Sequence, residues 1–460
     1  MQRRPAKIQG GFSLVELMVA LLLGVVLTSG VISVFITSKN TYNINNAVGQ
    51  VQEAGRFALT TLQPLIAASG FGGCGHIQAT SLSSYKQLLK TGDSDPVYMT
   101  QYAVYGFEYV GSSGPGYTST GVGGSYTDPT GNTPAVATSA SEWSPALPAE
   151  LYAKISTAAA PVVKYSDILI IHEAKSNAAP VLTDLSTTHT PAALRYDNTI
   201  STTPTIATGQ LAVAADCSNL TTANITSFQI TSWAPGATSG SIYHAMNTGT
   251  PGNVSTNTNF NPAGPTNLWP NQFYGPNGTL DSTDSVGPEA VYVFYIGKSN
   301  VDQGTSLFEV QLDTTPGNLG QLGTPQEVVP GVENMQFLYG IDTTADPWDK
   351  NFPSKFMFET ADVIDADHSN TAGLATAEGA WNEVISVRVA LLVHSDNNST
   401  ENNTTVTTSG GSTQNVTNVQ SQKFYMLGTG SADSFTYNSF ADRRLRRLFQ
   451  ETISIRSQLP

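Results

Sequence analysis

From Phe12 to Ile36 the chain reads FSLVELMVALLLGVVLTSGVISVFI, an apolar run of 25 residues interrupted by one charge, Glu16. At about 1.5 Å per helical residue it spans roughly 37 Å, enough to cross a bilayer with some tilt. It is too long for the h-region of an ordinary cleaved signal peptide. Arg3, Arg4 and Lys7 flank it on the N-terminal side, which predicts that end in the cytoplasm and everything after Lys39 outside. The expectation is a single-pass protein with a large exported domain. Glu16 is the anomaly, because a carboxylate in a lipid-facing helix costs several kcal/mol unless it stays near the interface or finds a partner. Two readings stay open on position alone: an acid with a function, or a wet one resting on the positive end of the helix dipole.

Composition narrows the classes. The chain has 460 residues, 12% charged, with a formal net charge of −14, and that length predicts two or three units or one heavily inserted domain. The acidic balance argues against nucleic acid as a partner, which would call for a basic stripe. Six His and two Cys leave little material for a multi-ligand zinc site. Low charge with abundant Ser, Thr, Asn and Gly fits a secreted or surface-displayed chain.

Gly11-Phe12-Ser13-Leu14-Val15-Glu16, after a short basic leader and before an unbroken apolar helix, resembles the class III signal of type IV prepilins. The resemblance implies cleavage between Gly11 and Phe12 by the prepilin peptidase, N-methylation of Phe12, and retention of the apolar segment. It also implies that Glu16 pairs with the new α-amino group of a neighbouring subunit as helices enter the pilus core. A buried charge pair in such a bundle is a registry device, cheap when matched and costly when either partner is missing.

The next segment continues the helix. Ile44, Val48, Val51, Ala54 or Gly55, Ala58, Leu62 and Leu65 recur at three and four residues, one apolar face of an amphipathic stem. Ser69-Gly70 and Gly72-Gly73 mark its end, and Pro64 predicts a kink one turn earlier. Gln52-Glu53-Ala54-Gly55-Arg56-Phe57-Ala58-Leu59, followed by Gly70-Phe71-Gly72-Gly73-Cys74, resembles the PilW family of minor pilins. Further pieces resemble that family in the same order along the chain: Ser166 to Ile171, Asp216-Cys217-Ser218, Pro330 to Phe337, Trp381 to Val393, and the basic Arg443-Arg444-Leu445-Arg446-Arg447-Leu448-Phe449. Arg56 is read as an exposed, solvated stem residue.

Beyond Cys74 the residues themselves predict β structure. Ile168 to His172, Ser227 to Thr231, Val291 to Ile296, Leu307 to Leu312, Met335 to Tyr339, Val384 to Val393 and Lys423 to Leu427 are short runs rich in β-branched and aromatic residues. Gly297 to Gly304 reads as a hairpin connection. Polar tracts near 111–147, 234–287 and 396–421 read as loops or insertions, because they bury too little apolar surface to offset the entropy of ordering. Cys74 and Cys217, the only cysteines, are either a disulfide tying the foot of the stem to the sheet or two buried free thiols. An oxidising compartment favours the disulfide.

Catalytic motifs do not survive inspection. Gly297-Lys298-Ser299 ends like a phosphate loop, but Tyr292 stands where its first glycine belongs. His172-Glu173 lacks the second histidine of a zinc-protease helix, with Ser176 in its place. No Gly-x-Ser-x-Gly occurs. Asp362, Asp365 and Asp367 suggest calcium, yet Asn370 and Thr376 occupy the turn-glycine and bidentate-glutamate positions. Tyr339-Gly340-Ile341-Asp342 is followed by Thr343-Thr344-Ala345-Asp346, a departure from the Asp-rich turn of many PilW-like chains. All these acids read as solvated loop carboxylates.

The expectation is therefore an α+β protein with no enzymatic activity, no metal and no cofactor. It comprises a leader over 1–11, a transmembrane and pilus-core helix over 12–38, an amphipathic stem over 39–69, and a mainly antiparallel β head with long polar loops over 70–460. The resemblance implies a minor pilin of a type IV pilus, incorporated near the tip or priming assembly, in a fibre that serves adhesion and twitching motility. Its partners would be the prepilin peptidase, other minor and major pilins, the inner membrane before assembly, and a tip adhesin. Its location would be the inner membrane and then the extracellular fibre. The alternatives are a J-like pseudopilin of type II secretion and a membrane-anchored surface adhesin.

Overall fold

The computed structural model describes residues 13–72, 85–87, 89, 95–111, 125–127, 135–174, 179–184, 193–197, 207–215, 225–236, 239–244, 251–253, 285–299, 304–313, 315, 317–342, 356–366, 381, 383–398, 406–407, 413–414, 423–427, 436–438 and 444–458. The architecture is α+β: one long N-terminal helix, α1 (Leu14–Ala68), and a mostly antiparallel β domain.

Two sheets organise the head. The larger joins, among others, β1 (Val104–Tyr109), β2 (Ile168–Ala174), β3 (Ser285–Lys298), β4 (Thr305–Gln311) and β5 (Gln326–Pro330). β3 is its spine, pairing Val293 with Ile170 on one side and Tyr295 with Phe308 on the other. The hairpin expected between Gly297 and Gly304 is present, closed by Lys298 opposite Thr305 and by Ser299 N–H donating to the Gly304 carbonyl at 2.9 Å. The second sheet has four antiparallel strands: β6 (Val332–Asp342), β7 (Phe356–Glu359), β8 (Val384–Asn398) and β9 (Arg444–Ser454), in the order β7-β6-β8-β9. Gly331, in the left-handed region at φ 78°, turns β5 into β6.

β8 explains why the second sheet can carry the stem. Val387, Val389, Leu391 and Val393 are buried in the cluster that receives Val51, Ala58 and Leu62 of α1. Ala390 and Leu392 point the other way and pack with Leu338, Met426 and Leu427. A strand covered on both faces loses the polar alternation of a half-exposed one, and that accounts for the unbroken VALLV run from Val389 to Val393.

The stem buries Ala47, Val51, Gly55, Ala58, Leu62 and Ile66, steps of three and four that lay one stripe of the helix across β8 and β9. Full burial of a side chain such as Leu62 contributes about 1.5–3 kcal/mol. Gly55 sets the depth of the seat: a Cβ there would stand 2.2 Å from the Phe449 ring of β9. The expected face is displaced at its ends. Ile44 lies on the stripe but remains 42% exposed, while Ala47 and Ile66 take buried positions. The helix also runs on through Pro64 to Ala68. There Ser69 Oγ donates to the Ile66 carbonyl at 2.7 Å and Gly70 N–H to the His172 carbonyl of β2 at 2.9 Å.

Three further expectations change. Arg443 to Phe449, read as a basic closing segment, belongs from Arg444 onward to β9. The polar tract near 111–147 contains a packed element, with Ala137, Trp143 and Leu147 buried. Its reversal at 140–142 is held by a capping box between Ser139 and Glu142. Asp362 and Asp365 are not loop carboxylates, for they lie on a short helix, α3 (Ala361–Ala366), the helix Ala149–Ile155 being α2. Asp365 accepts from the Tyr105 hydroxyl at 3.1 Å. Asp367 lies outside the described residues.

Candidate assembly surface and its supporting joint

The first half of α1 has no cover within the molecule. Ser13, extended at ψ 140°, precedes the helix, and Leu17 N–H donates to its carbonyl at 3.1 Å. From Leu14 at 77% exposure to Phe35 at 68%, the large apolar side chains face outward all round. The helix is long and apolar enough to cross a membrane by length and composition. Three of its hydroxyls bond back within the helix: Thr28 Oγ1 donates to the Gly24 carbonyl at 2.7 Å, Ser29 Oγ to that of Val26 at 2.9 Å and Thr37 Oγ1 to that of Ser33 at 2.9 Å. Such back-bonding lets Ser and Thr enter an apolar medium without orphaned donors. Glu16 is the exception, exposed in the first turn, where the helix dipole favours an anion. Gly11, Phe12, Cys74 and Cys217 lie outside the described residues.

Beneath the stem, the two sheets meet at a short buried joint, Tyr165-Ser166-Asp167. Tyr165 is left-handed at φ 69°, an unusual conformation for a non-glycine residue. Its carbonyl accepts from the side-chain amides of Asn334 and Gln336, the latter at 2.9 Å. Ser166 exchanges hydrogen bonds with the backbone of Met335 at 3.0 and 3.1 Å, and its carbonyl accepts from Trp143 Nε1 at 3.0 Å. Asp167 accepts from Tyr109 N–H of β1 at 3.2 Å and from Phe337 N–H of β6 at 2.9 Å. One carboxylate thus bonds both sheets.

A second polar contact ties the outer strand inward. Arg446 of β9 donates through Nε to Glu333 of β6 at 2.6 Å, both side chains at 1% exposure or less. Near it, His394 is buried beside Thr305 and Arg444, and burial pushes its imidazole down from the ordinary range. The sequence pieces Ser166 to Ile171, Pro330 to Phe337 and Arg443 to Phe449 contain Ser166, Asp167, Glu333, Asn334, Gln336 and Arg446, whereas Tyr165 and His394 lie outside them. The sequence signal was an acid or a base set in an apolar strand, but the pairings join positions far apart.

The remaining motif residues are structural. His172 stands between the carbonyls of Tyr102 at 2.9 Å and Val97 at 3.2 Å, and burial lowers its imidazole to about 4. Ser299, at the hairpin connection, donates to Glu327 of β5 at 3.2 Å. Among the described residues no group of three His, Cys, Asp or Glu side chains could hold a metal ion.

The prokaryotic N-terminal methylation motif matches residues 6–32, which include most of the uncovered half of the helix. The family model described as type IV pilus-assembly protein W (PilW) matches residues 293–457, from the middle of β3 to the end of β9. Over these two segments the chain is similar to type IV pilus-associated, pilin-like proteins. Its PilW segment contains β6 to β9, the sheet on which the stem sits. No curated protein and no solved structure matches the chain. The motif and the apolar helix fit membrane anchoring and pilus association, and the pilin-family segments point to a structural, non-enzymatic protein.

Proposed function

We propose that the protein is a minor pilin of a type IV pilus. It is made as a prepilin, held in the inner membrane by residues 12–38, cleaved after Gly11 and methylated at Phe12 by prepilin peptidase, and then drawn into the fibre near the tip. The stem over 39–69 carries the head, residues 70–460, against other minor pilins and a tip adhesin. The observation behind this reading is one helix with two environments: an apolar half open on all sides, continuous with a half clamped on the sheet of the PilW segment. Removing apolar area from water is favourable by about 25 cal/mol per Å². The open half therefore needs lipid before assembly and other helices after it, and a helix already clamped to its head transfers between them without refolding.

N-terminal peptide mass spectrometry of sheared pili should find methylated Phe12 as the first residue. Loss of Arg3, Arg4 and Lys7 takes the formal charge from −14 to −17 before the new amine is counted. An intact Met1, or a cut beyond residue 30, sinks the assignment.

Cys74 and Cys217 are proposed to be linked in the exported head. In the chain-entropy model, closing a loop of about 140 residues contributes around 5 kcal/mol. Non-reducing peptide mapping should recover the two joined, and free thiols on both in envelope-derived protein reject the link.

A further inference from the structure

The joint between the sheets holds more acid than its hydrogen bonds require. Glu108 of β1 is buried and hydrogen bonded to Asp167, with Asp362 of α3 also close enough to repel it. Tyr339 of β6 reaches the same place over Gly106, whose missing side chain makes the room: a Cβ there would stand 2.0 Å from the Tyr339 hydroxyl. That hydroxyl is buried without a hydrogen-bond partner. Lys164, just before the joint, is engaged with Glu142 at 3.1 Å. The groups facing the pair are thus Asp362 from α3, the Tyr339 phenol from β6 and the backbone N–H groups of Tyr109 and Phe337.

Two carboxylates in contact inside a protein cannot both ionise at ordinary pH, so one keeps a proton and donates it to the other. Asp167 accepts two backbone N–H bonds, which favour its charged form, and Glu108 is therefore the proton carrier. We propose that Glu108 and Asp167 form a proton-operated latch between the two sheets, closed by one shared proton and opened by its loss. With the proton present, Asp167 keeps both N–H bonds and Glu108 donates the third. Without it, two anions face each other beside Asp362, and the relief available is for β1 to part from the Asp167 turn and β6.

The sign follows from burial, which pushes the carboxyls of the pair above the ordinary range, Glu108 well above it. The folded joint binds protons that the unfolded chain releases at lower pH. Its contribution is complete below the unfolded carboxyl range, near about pH 4, falls as pH rises above that range, and is gone once pH has passed the raised folded value. Glu289, buried against Ser227 at 2.6 Å and also pushed to about 8, carries the same sign in a different part of the head. A global melt would mix the two.

Hydrogen exchange read by mass spectrometry on the full chain in detergent micelles separates them. After correction for intrinsic rates, peptides covering β1 and β6 should lose up to about tenfold protection for each pH unit from about pH 5 up to the folded value of the pair, and the loss should level off above it. Glu108→Gln keeps a donor toward Asp167 without a titratable proton and should flatten that loss. Glu289→Gln should leave it unchanged. If Glu108→Gln does not fold, judged by loss of β3 protection at pH 6.5, Asp362→Asn serves instead. It removes a facing charge that raises both carboxyls, leaves both N–H bonds at Asp167 in place, and should bring the end of the loss to lower pH. PH-independent protection of β1 and β6 in the wild type overturns the latch. So does a Glu108→Gln slope equal to wild type, or a loss in Asp362→Asn that levels off at the wild-type pH.

Discussion

Cells producing Glu16→Ala should insert and cleave the subunit normally yet show it depleted from sheared pili by more than a hundredfold. Glu16 is the only charge between Lys7 and Lys39, and it projects from the first turn of a helix whose surroundings are otherwise apolar and uncovered. In a bundle of such helices the carboxylate needs a cation, and the α-amino group of a neighbouring Phe12 is the partner that the prepilin resemblance supplies. Removing one partner strands the other, a penalty on the order of 3–5 kcal/mol. Each 1.4 kcal/mol is a factor of about ten in an equilibrium, hence the size of the expected loss. Processing is spared because the change lies outside Gly11 and the leader. Quantitative immunoblotting of membrane and pilus fractions decides the matter, and wild-type abundance in the fibre defeats the registry role. A wet, interfacial glutamate would give that result.

Arg446→Ala should destabilise the head by about 3–5 kcal/mol, because it leaves Glu333 buried without its guanidinium. The damage should spread to the stem. β9 carries Phe449 against Gly55, so an outer strand loosened from β6 also loosens the seat of α1. Replacing the pair together, as Glu333→Leu with Arg446→Met, should recover most of the loss, since a buried ion pair exchanged for apolar side chains of similar volume is often neutral or better. Urea unfolding of the full chain in detergent, read by near-UV circular dichroism, measures both. A midpoint for Arg446→Ala indistinguishable from wild type would remove the pair from any role in stability. The head would then rely on the apolar clusters alone.

The N-terminal helix, its apolar and amphipathic halves and the late strands were legible in the sequence because local patterning encodes them. An apolar run of 25 residues has few ways to avoid water. A stripe at three- and four-residue steps marks one helical face whatever covers it. The VALLV run of β8, Val389 to Val393, likewise announces a strand buried on both faces. The strand nature of Arg444–Ser454 was hidden by its four neighbouring arginines, because only the tertiary structure brings Glu333 and His394 against two of them.

Ser166 and Asp167 resembled the start of a core strand, and they are instead the joint that binds one sheet to the other. Asp362 and Asp365 were legible as acids but not as parts of α3, whose neighbours Glu108 and Tyr105 come from β1. The sequence by itself determined which segments must leave water and with what period. The tertiary structure decided which buried charge meets which, because a charge's partner is chosen by chain crossings more than a hundred residues apart, and no local pattern carries that choice.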